Sequence, residues 1–241
     1  MAPALLEVDG LTKRFGGFTA LNGVSLDVTP GERFGLIGPN GSGKTTLINC
    51  VSGALPADGG RIRFEGRDIT AVPAHRRTRL GIVRSFQIPK PFTSMTVAQN
   101  LAIPLEYAAG ARSDGADVAA EAMEILSTIG LESKAHTRPA GLTQIEMRKL
   151  ELARAMAAKP KLLISDEAMA GLSSAEIDDI LAILFRLNER GITIIMIEHI
   201  MRAVMRFSER IVVLDAGERI AEGTPDAIVR NPVVEKAYLG E

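Results

Sequence analysis

The segment Gly38-Pro39-Asn40-Gly41-Ser42-Gly43-Lys44-Thr45 limits what this chain can fold into more than any other. It follows an apolar run over residues 33–37, read as a strand, and opens a helix expected over residues 43–51 that stops near Gly53. The pattern G-x-x-x-x-G-K-[ST] in a strand–turn–helix setting is that of a phosphate-binding P-loop. Glycines let successive N–H groups turn inward around phosphate oxygens, and the helix N-terminus adds a favourable dipole. Lys44 is placed to neutralise β/γ-phosphate charge and the Thr45 hydroxyl to ligate Mg²⁺. With glycine at about 7% of average sequence, an accidental match is on the order of one in a hundred. Residues 38–45, with Thr46, are therefore read as a nucleotide site.

Such a site also needs an acidic strand end. Leu162-Leu163-Ile164-Ser165-Asp166-Glu167 supplies one: Asp166 is suited to hold Mg²⁺ and Glu167 to activate an attacking water as general base. Ser165 reads as a tolerated small residue inside the apolar run.

The chain has 241 residues, 46% hydrophobic, with 28 Lys+Arg against 29 Asp+Glu. A net charge of −1 argues against a nucleic-acid coat, which needs a basic footprint. One cysteine, Cys50, excludes an internal disulfide framework and reads as a small packed residue. No stretch reaches the ~18 to 20 apolar residues of a membrane span, and residues 1–7 lack the basic flank and apolar run of a signal peptide. The expectation is a soluble intracellular protein.

Strand-like and helix-like periods alternate, which favours an α/β fold. Strands are expected at 5–8, 24–28, 61–64, 81–86, 161–165, 192–197 and 210–214. From about 88 to 137 the character changes to Pro-broken helices. Thr96 with Gln99 makes a capping box, Pro104 is expected to end or kink its helix, 108–117 reads as a surface loop and 121–129 as helix. Met147, Leu150, Ala153 and Ala157 form one helix face, with Arg148, Lys149, Glu151 and Arg154 opposite. Ser173 and Glu176 are spaced as another capping box ahead of an apolar stripe from Ile177 to Leu187, and Gly191 suits the helix end. Arg76, Arg77, Arg79 and Arg84 read as a solvated basic face or one turned to a membrane or an acidic partner.

These features together resemble the ATP-binding cassette (ABC) ATPases, over nearly the whole chain. Phe15 in Thr12-Lys13-Arg14-Phe15-Gly16-Gly17 resembles the aromatic that stacks on adenine. Gln87 in Arg84-Ser85-Phe86-Gln87 resembles the glutamine that senses Mg²⁺ and the attacking water and couples to the membrane partner. Residues 171–173 look like the D-loop, and His199 looks like the switch histidine that contacts the γ-phosphate. His75 and His136 carry no such likeness. The resemblance implies one ABC ATPase domain over residues 1–241: an α/β P-loop NTPase (RecA-like) core with an N-terminal antiparallel β subdomain (1–87 and 141–241), and an α-helical subdomain inserted over about 88–140. Within the family, residues 15–21, 170–176 and the ending Ala237-Tyr238-Leu239-Gly240 are similar to ATPase subunits of branched-chain amino-acid importers. The same segments are similar in lipopolysaccharide-export ATPases and in importers of other small solutes.

The resemblance implies ATP and Mg²⁺ as cofactors and a peripheral place on the cytoplasmic face of the inner membrane. The partners it implies are transmembrane permease subunits, a second ABC ATPase subunit and, indirectly, an extracytoplasmic solute-binding protein, with no nucleic acid. The sequence departs from the pattern where the signature LSGGQ is expected. Aligned without gaps from Arg154, it reads Leu142-Thr143-Gln144-Ile145-Glu146. Ile145 stands at the second glycine, where a β-branched side chain is expected to obstruct the partner's ATP. Ala168 replaces the usual Pro after Asp166-Glu167, which loosens that turn. Two readings stay open: a heterodimer whose related subunit supplies an intact signature, or a loop that accommodates Ile145. A nucleotide-dependent regulator with impaired turnover is a third.

Overall fold

The computed structural model describes residues 3–85, 90–107 and 115–239. Strands β1 (Leu6–Phe15) and β2 (Phe18–Val28) form a hairpin across Gly16-Gly17, and β3 (Arg33–Ile37) leads through the glycine-rich segment into α1 (Lys44–Ser52). There follow β4 (Gly59–Phe64), β5 (Arg67–Asp68), α2 (Ala74–Leu80) and β6 (Ile82–Ser85). Helices α3 (Val97–Tyr107), α4 (Gly115–Ile129) and α5 (Gln144–Ala157) come next. The chain then alternates through β7 (Leu162–Asp166), α6 (Ser174–Glu189), β8 (Thr193–Ile197), α7 (Met201–Phe207) and β9 (Arg210–Asp215), and ends in β10 (Glu218–Gly223), α8 (Pro225–Val229) and α9 (Pro232–Leu239).

Two sheets result. The first, antiparallel, has the order β2-β1-β4-β5; the second has the order β10-β9-β3-β8-β7-β6 and is parallel apart from β10. Strands β3, β7, β8 and β9 read as unbroken apolar runs because both of their faces are covered. Phe34, Leu36, Leu162, Ile164, Ile195 and Val212 pack with α1 and the antiparallel sheet. Ile37, Leu163, Ile194, Met196, Ile211 and Val213 point the other way, into a core shared with α3 to α7. That alternation by twos is the pleat made visible. Helices α3 and α4 pack on each other and on α5, which joins them to the sheet.

The strands at 5–8 and 24–28 prove to be parts of β1 and β2, which run to 10 and 11 residues. Register shifts fall between Val8 and Leu11 and between Leu11 and Lys13, with Gly10 at φ 57, so only fragments show the alternating period. Pro104 does not end its helix. Val97, Leu101 and Leu105 are buried on one stripe on both sides of it, and that packing carries α3 on to Tyr107. Of the loop expected over 108–117, residues 108–114 lie outside the described residues, and Gly115 to Asp117 already belong to α4. The capping boxes of Thr96 with Gln99 and Ser173 with Glu176 form as expected. Glu151, assigned to the outer face of α5, is instead buried and paired with Arg154 at 2.9 Å.

The basic run divides. Arg76 and Arg79 are exposed, but Arg77 is 2% exposed, and its guanidinium donates to the carbonyls of Thr70, Val72, Cys50 and Val51. It ties the last turn of α1, whose carbonyls lack helical partners, to the segment before α2. Neither a solvated nor a membrane-facing role fits it. Arg84 turns inward to Asp166 and Asn49. Cys50 is buried, and burial pushes its thiol pKa up, as a packed residue requires. Replacing Arg77 with Ala strands several buried carbonyls, so R77A is expected to cost about 2–4 kcal/mol in urea unfolding, whereas R76A stays within about 0.5 kcal/mol.

Candidate nucleotide site

The parallel strands end together. Leu36 and Asp166 both lie opposite Ile197, Ile37 opposite Val213, and Ser85 opposite Ser165, so the loops after β3, β6, β7 and β8 leave from one rim. Ligands of open α/β sheets sit in the crevice at the carboxyl ends of the strands.

Residues 38–43 make the turn at this rim. Gly38 has φ 151, and a Cβ there would lie 2.1 Å from the Leu214 carbonyl oxygen. Gly43 caps α1 at φ 100, where a Cβ would come within 2.7 Å of the Ala20 carbonyl oxygen. Only glycine fits either place. Lys44 is buried, and its Nζ donates to the carbonyls of Gly38 (2.8 Å) and Pro39 (2.9 Å) and to Ser42 Oγ (3.3 Å). Burial lowers its pKa, while the carboxylates of Glu167 and Asp166 act the other way.

Asp166 is buried at the end of β7 and forms an ion pair with Arg84, which also donates to Asn49 Oδ1 at 2.6 Å. The sequence reading missed this partner; an arginine three residues before Gln87, on the strand beside β7, was the available signal. Glu167 holds a left-handed backbone at φ 47, uncommon for a residue with a side chain. Its amide donates to the Ile197 carbonyl at 2.9 Å, and its carboxylate accepts from His199 Nε2 at 3.0 Å.

A cavity of about 270 Å³ opens beside the cradle, lined by Phe15, Phe18, Lys44, Thr45, Glu167 and His199 among others, with Asp166 outside that lining. Asn40, Gly41, Ser42, Gly43 and Thr46 also face it, whereas Gly38 and Pro39 form the turn behind. Phe15 and Phe18 are 48% and 63% exposed and pair across the hairpin, giving an apolar wall at the mouth. Phe18 was missed; two phenylalanines around Gly16-Gly17 were the signal. Gln87 lies outside the described residues.

The segment 142–146 starts α5. Thr143 is the N-cap, in a capping box with Glu146, whose pKa is lowered first by the Thr143 amide. Gln144 Nε2 and Arg148 donate to the Ala170 carbonyl at 3.4 and 3.3 Å. Ile145 is half-buried against the helical core with Leu142 and Leu172, so part of its bulk turns away from solvent.

A glycine cradle with a lysine, an acidic strand end and a histidine–glutamate pair defines a nucleotide-hydrolysing P-loop protein. The comparisons narrow the class. The family model described as ABC transporter matches residues 21–170, and that of the branched-chain amino acid ATP-binding cassette transporter matches residues 218–241. The chain is 41% identical to the high-affinity branched-chain amino acid transport ATP-binding protein BraF of Pseudomonas aeruginosa and 39% identical to LivG of Escherichia coli, with 100% of each chain covered. It superposes on the ADP conformation of MJ1267, an ATP-binding cassette of an ABC transporter, with a TM-score of 0.90 at 34% identity over 100% of both chains. A dimeric post-hydrolysis cassette, MJ0796 bound to ADP and Pi, matches with a TM-score of 0.82 at 26% identity, over 91% of this chain and 98% of that one. The chain belongs to the ABC transporter family and is its ATP-binding, ATP-hydrolysing subunit.

Arg84→Ala leaves the buried Asp166 carboxylate without that cation. The nucleotide-free protein is expected to lose about 3–5 kcal/mol of stability, read from urea unfolding.

Proposed function

We propose that this chain energises an importer of branched-chain amino acids or a similar small polar solute, from the cytoplasmic face of the membrane. Full-length similarity to BraF and LivG and the matched C-terminal segment support import over the export-type and regulatory alternatives. No helix among the described residues is long and apolar enough to cross a membrane. In this reading transmembrane permease subunits carry the solute, and a solute-binding protein acts on their far side.

Thr45 and Asp166 would hold Mg²⁺. Both offer hard oxygen donors, and among the described residues no three His, Cys, Asp or Glu side chains converge into a cage. An ion held there would draw its remaining ligands from nucleotide and water, as is usual for Mg²⁺ at phosphate sites. When bound, it supplies charge neutralisation at the β- and γ-phosphates. The amides of 38–45 and Lys44 hold the phosphates, Phe15 with Phe18 covers the base, and Glu167 orients water and takes its proton. His199 holds the Glu167 carboxylate and reaches toward the γ-phosphate, and Gln87 links the site to the permease through the helices at about 88–140.

Transport follows if ATP binds the closed pair of cassettes more tightly than the open pair, since equal affinity shifts nothing. Residues 142–146 face the ATP of the second subunit. The half-buried Ile145 supports a loop that accommodates it, which is compatible with a homodimer as well as a heterodimer. The Glu167–His199 contact beside the cradle carries the hydrolytic reading. Glu167→Gln is expected to slow ATP turnover by roughly 10²–10³-fold while ATP affinity changes less than about twofold. Turnover at the wild-type rate would remove Glu167 from its role.

A further inference from the structure

Glu198 is 2% exposed, at the end of β8 next to His199. Its Oε1 accepts from the Met169 amide at 2.8 Å. Burial pushes its carboxyl up to about 7, with the Glu167 and Asp166 carboxylates acting in the same sense and the amides of Met169 and His199 opposing. A buried acid of this kind costs stability that an apolar residue would not, so its place calls for a reason.

The geometry around it gives one. The turn after β7 is held to the end of β8 at two points: the Glu167 amide on the Ile197 carbonyl, and the Met169 amide on Glu198. Between them lies Ala168, which lacks the fixed φ that a proline would bring. Glu167 itself sits at φ 47, a conformation that persists only when its surroundings over-determine it. The side chains of Glu167 and His199 then meet at 3.0 Å.

We propose that Glu198 is a positioning residue for ATP hydrolysis, whose buried carboxyl clamps the Met169 amide and so sets Glu167 against His199. The inference rests on the hydrolytic role given to Glu167 above. What the clamp needs is an acceptor oxygen of the right reach rather than a charge.

The test uses the full chain assembled with its transporter subunits and compares E198Q, E198L and E198D. Glutamine keeps the acceptor, leucine keeps the size without it, and aspartate withdraws it by one methylene. E198L is expected to lower kcat at least tenfold with KM for ATP and the Kd for ADP within twofold, and E198D to fall between it and wild type. E198Q is expected to stay within threefold of wild type, with the His199 ring resonances in NMR moved by E198L and not by E198Q. Wild-type kcat in E198L, or equal losses in E198L and E198Q, would overturn the clamp. If E198L does not fold, E198D decides: unchanged kcat overturns the proposal, and a selective loss of kcat supports it. An active wild type whose E167Q variant turns over normally would instead indict the hydrolytic reading.

Discussion

Presenting several backbone amides to one small volume forces the chain into conformations that side chains forbid. At Gly38 the backbone passes so close to the end of β9 that a Cβ would meet the Leu214 carbonyl at 2.1 Å, and at Gly43 it runs against the Ala20 carbonyl of β2. The cradle is therefore held from both sheets at once. β9 must stand beside β3, and the antiparallel sheet must lie over α1, before the loop has walls. The two apolar clusters, divided by the alternating faces of β3, β7, β8 and β9, supply that placement.

Buried charge follows a common rule in this fold. Arg77 spends its guanidinium on four carbonyls, Arg84 pairs with Asp166 and Asn49, and Glu32 accepts from Arg210 and the Thr29 amide. Each joins segments far apart in sequence, and each would be costly to leave with one partner removed. Two of these arginines lie in a stretch that looks, from sequence, like a solvated basic face. Periodicity cannot separate an arginine that solvates a surface from one that binds carbonyls, because the distinction lies in which backbone groups are orphaned nearby.

The phosphate loop was legible because its chemistry is local: strand, glycines, lysine and helix are contiguous. Asp166-Glu167 and the capping boxes were legible for the same reason. Arg84 and Glu198 were not, since each acquires meaning from a neighbouring strand or strand-end loop that the sequence does not order; Phe18, whose partner Phe15 lies across a local hairpin, was legible in principle. The short reading of β1 has a different origin. Gly10 and the register shifts beside it interrupt the alternation on which a strand is recognised, although pairing with β2 and β4 carries the strand through.

Residues 142–146 show the limit of comparing residues with a pattern. Position 145 lies in the first turn of α5, where Ile145, like Leu142 and Leu172, is partly buried against the apolar core. The Thr143–Glu146 box satisfies the Glu146 amide and fixes the first turn without any glycine. Gln144 and Arg148 then tie that turn to the Ala170 carbonyl, one residue beyond the Met169 amide that Glu198 holds. Neighbouring residues of one loop thus hold the start of α5 on one side and the end of β8 on the other. A shift at the start of α5 therefore pulls on the loop that carries Glu167, whatever side chain occupies position 145.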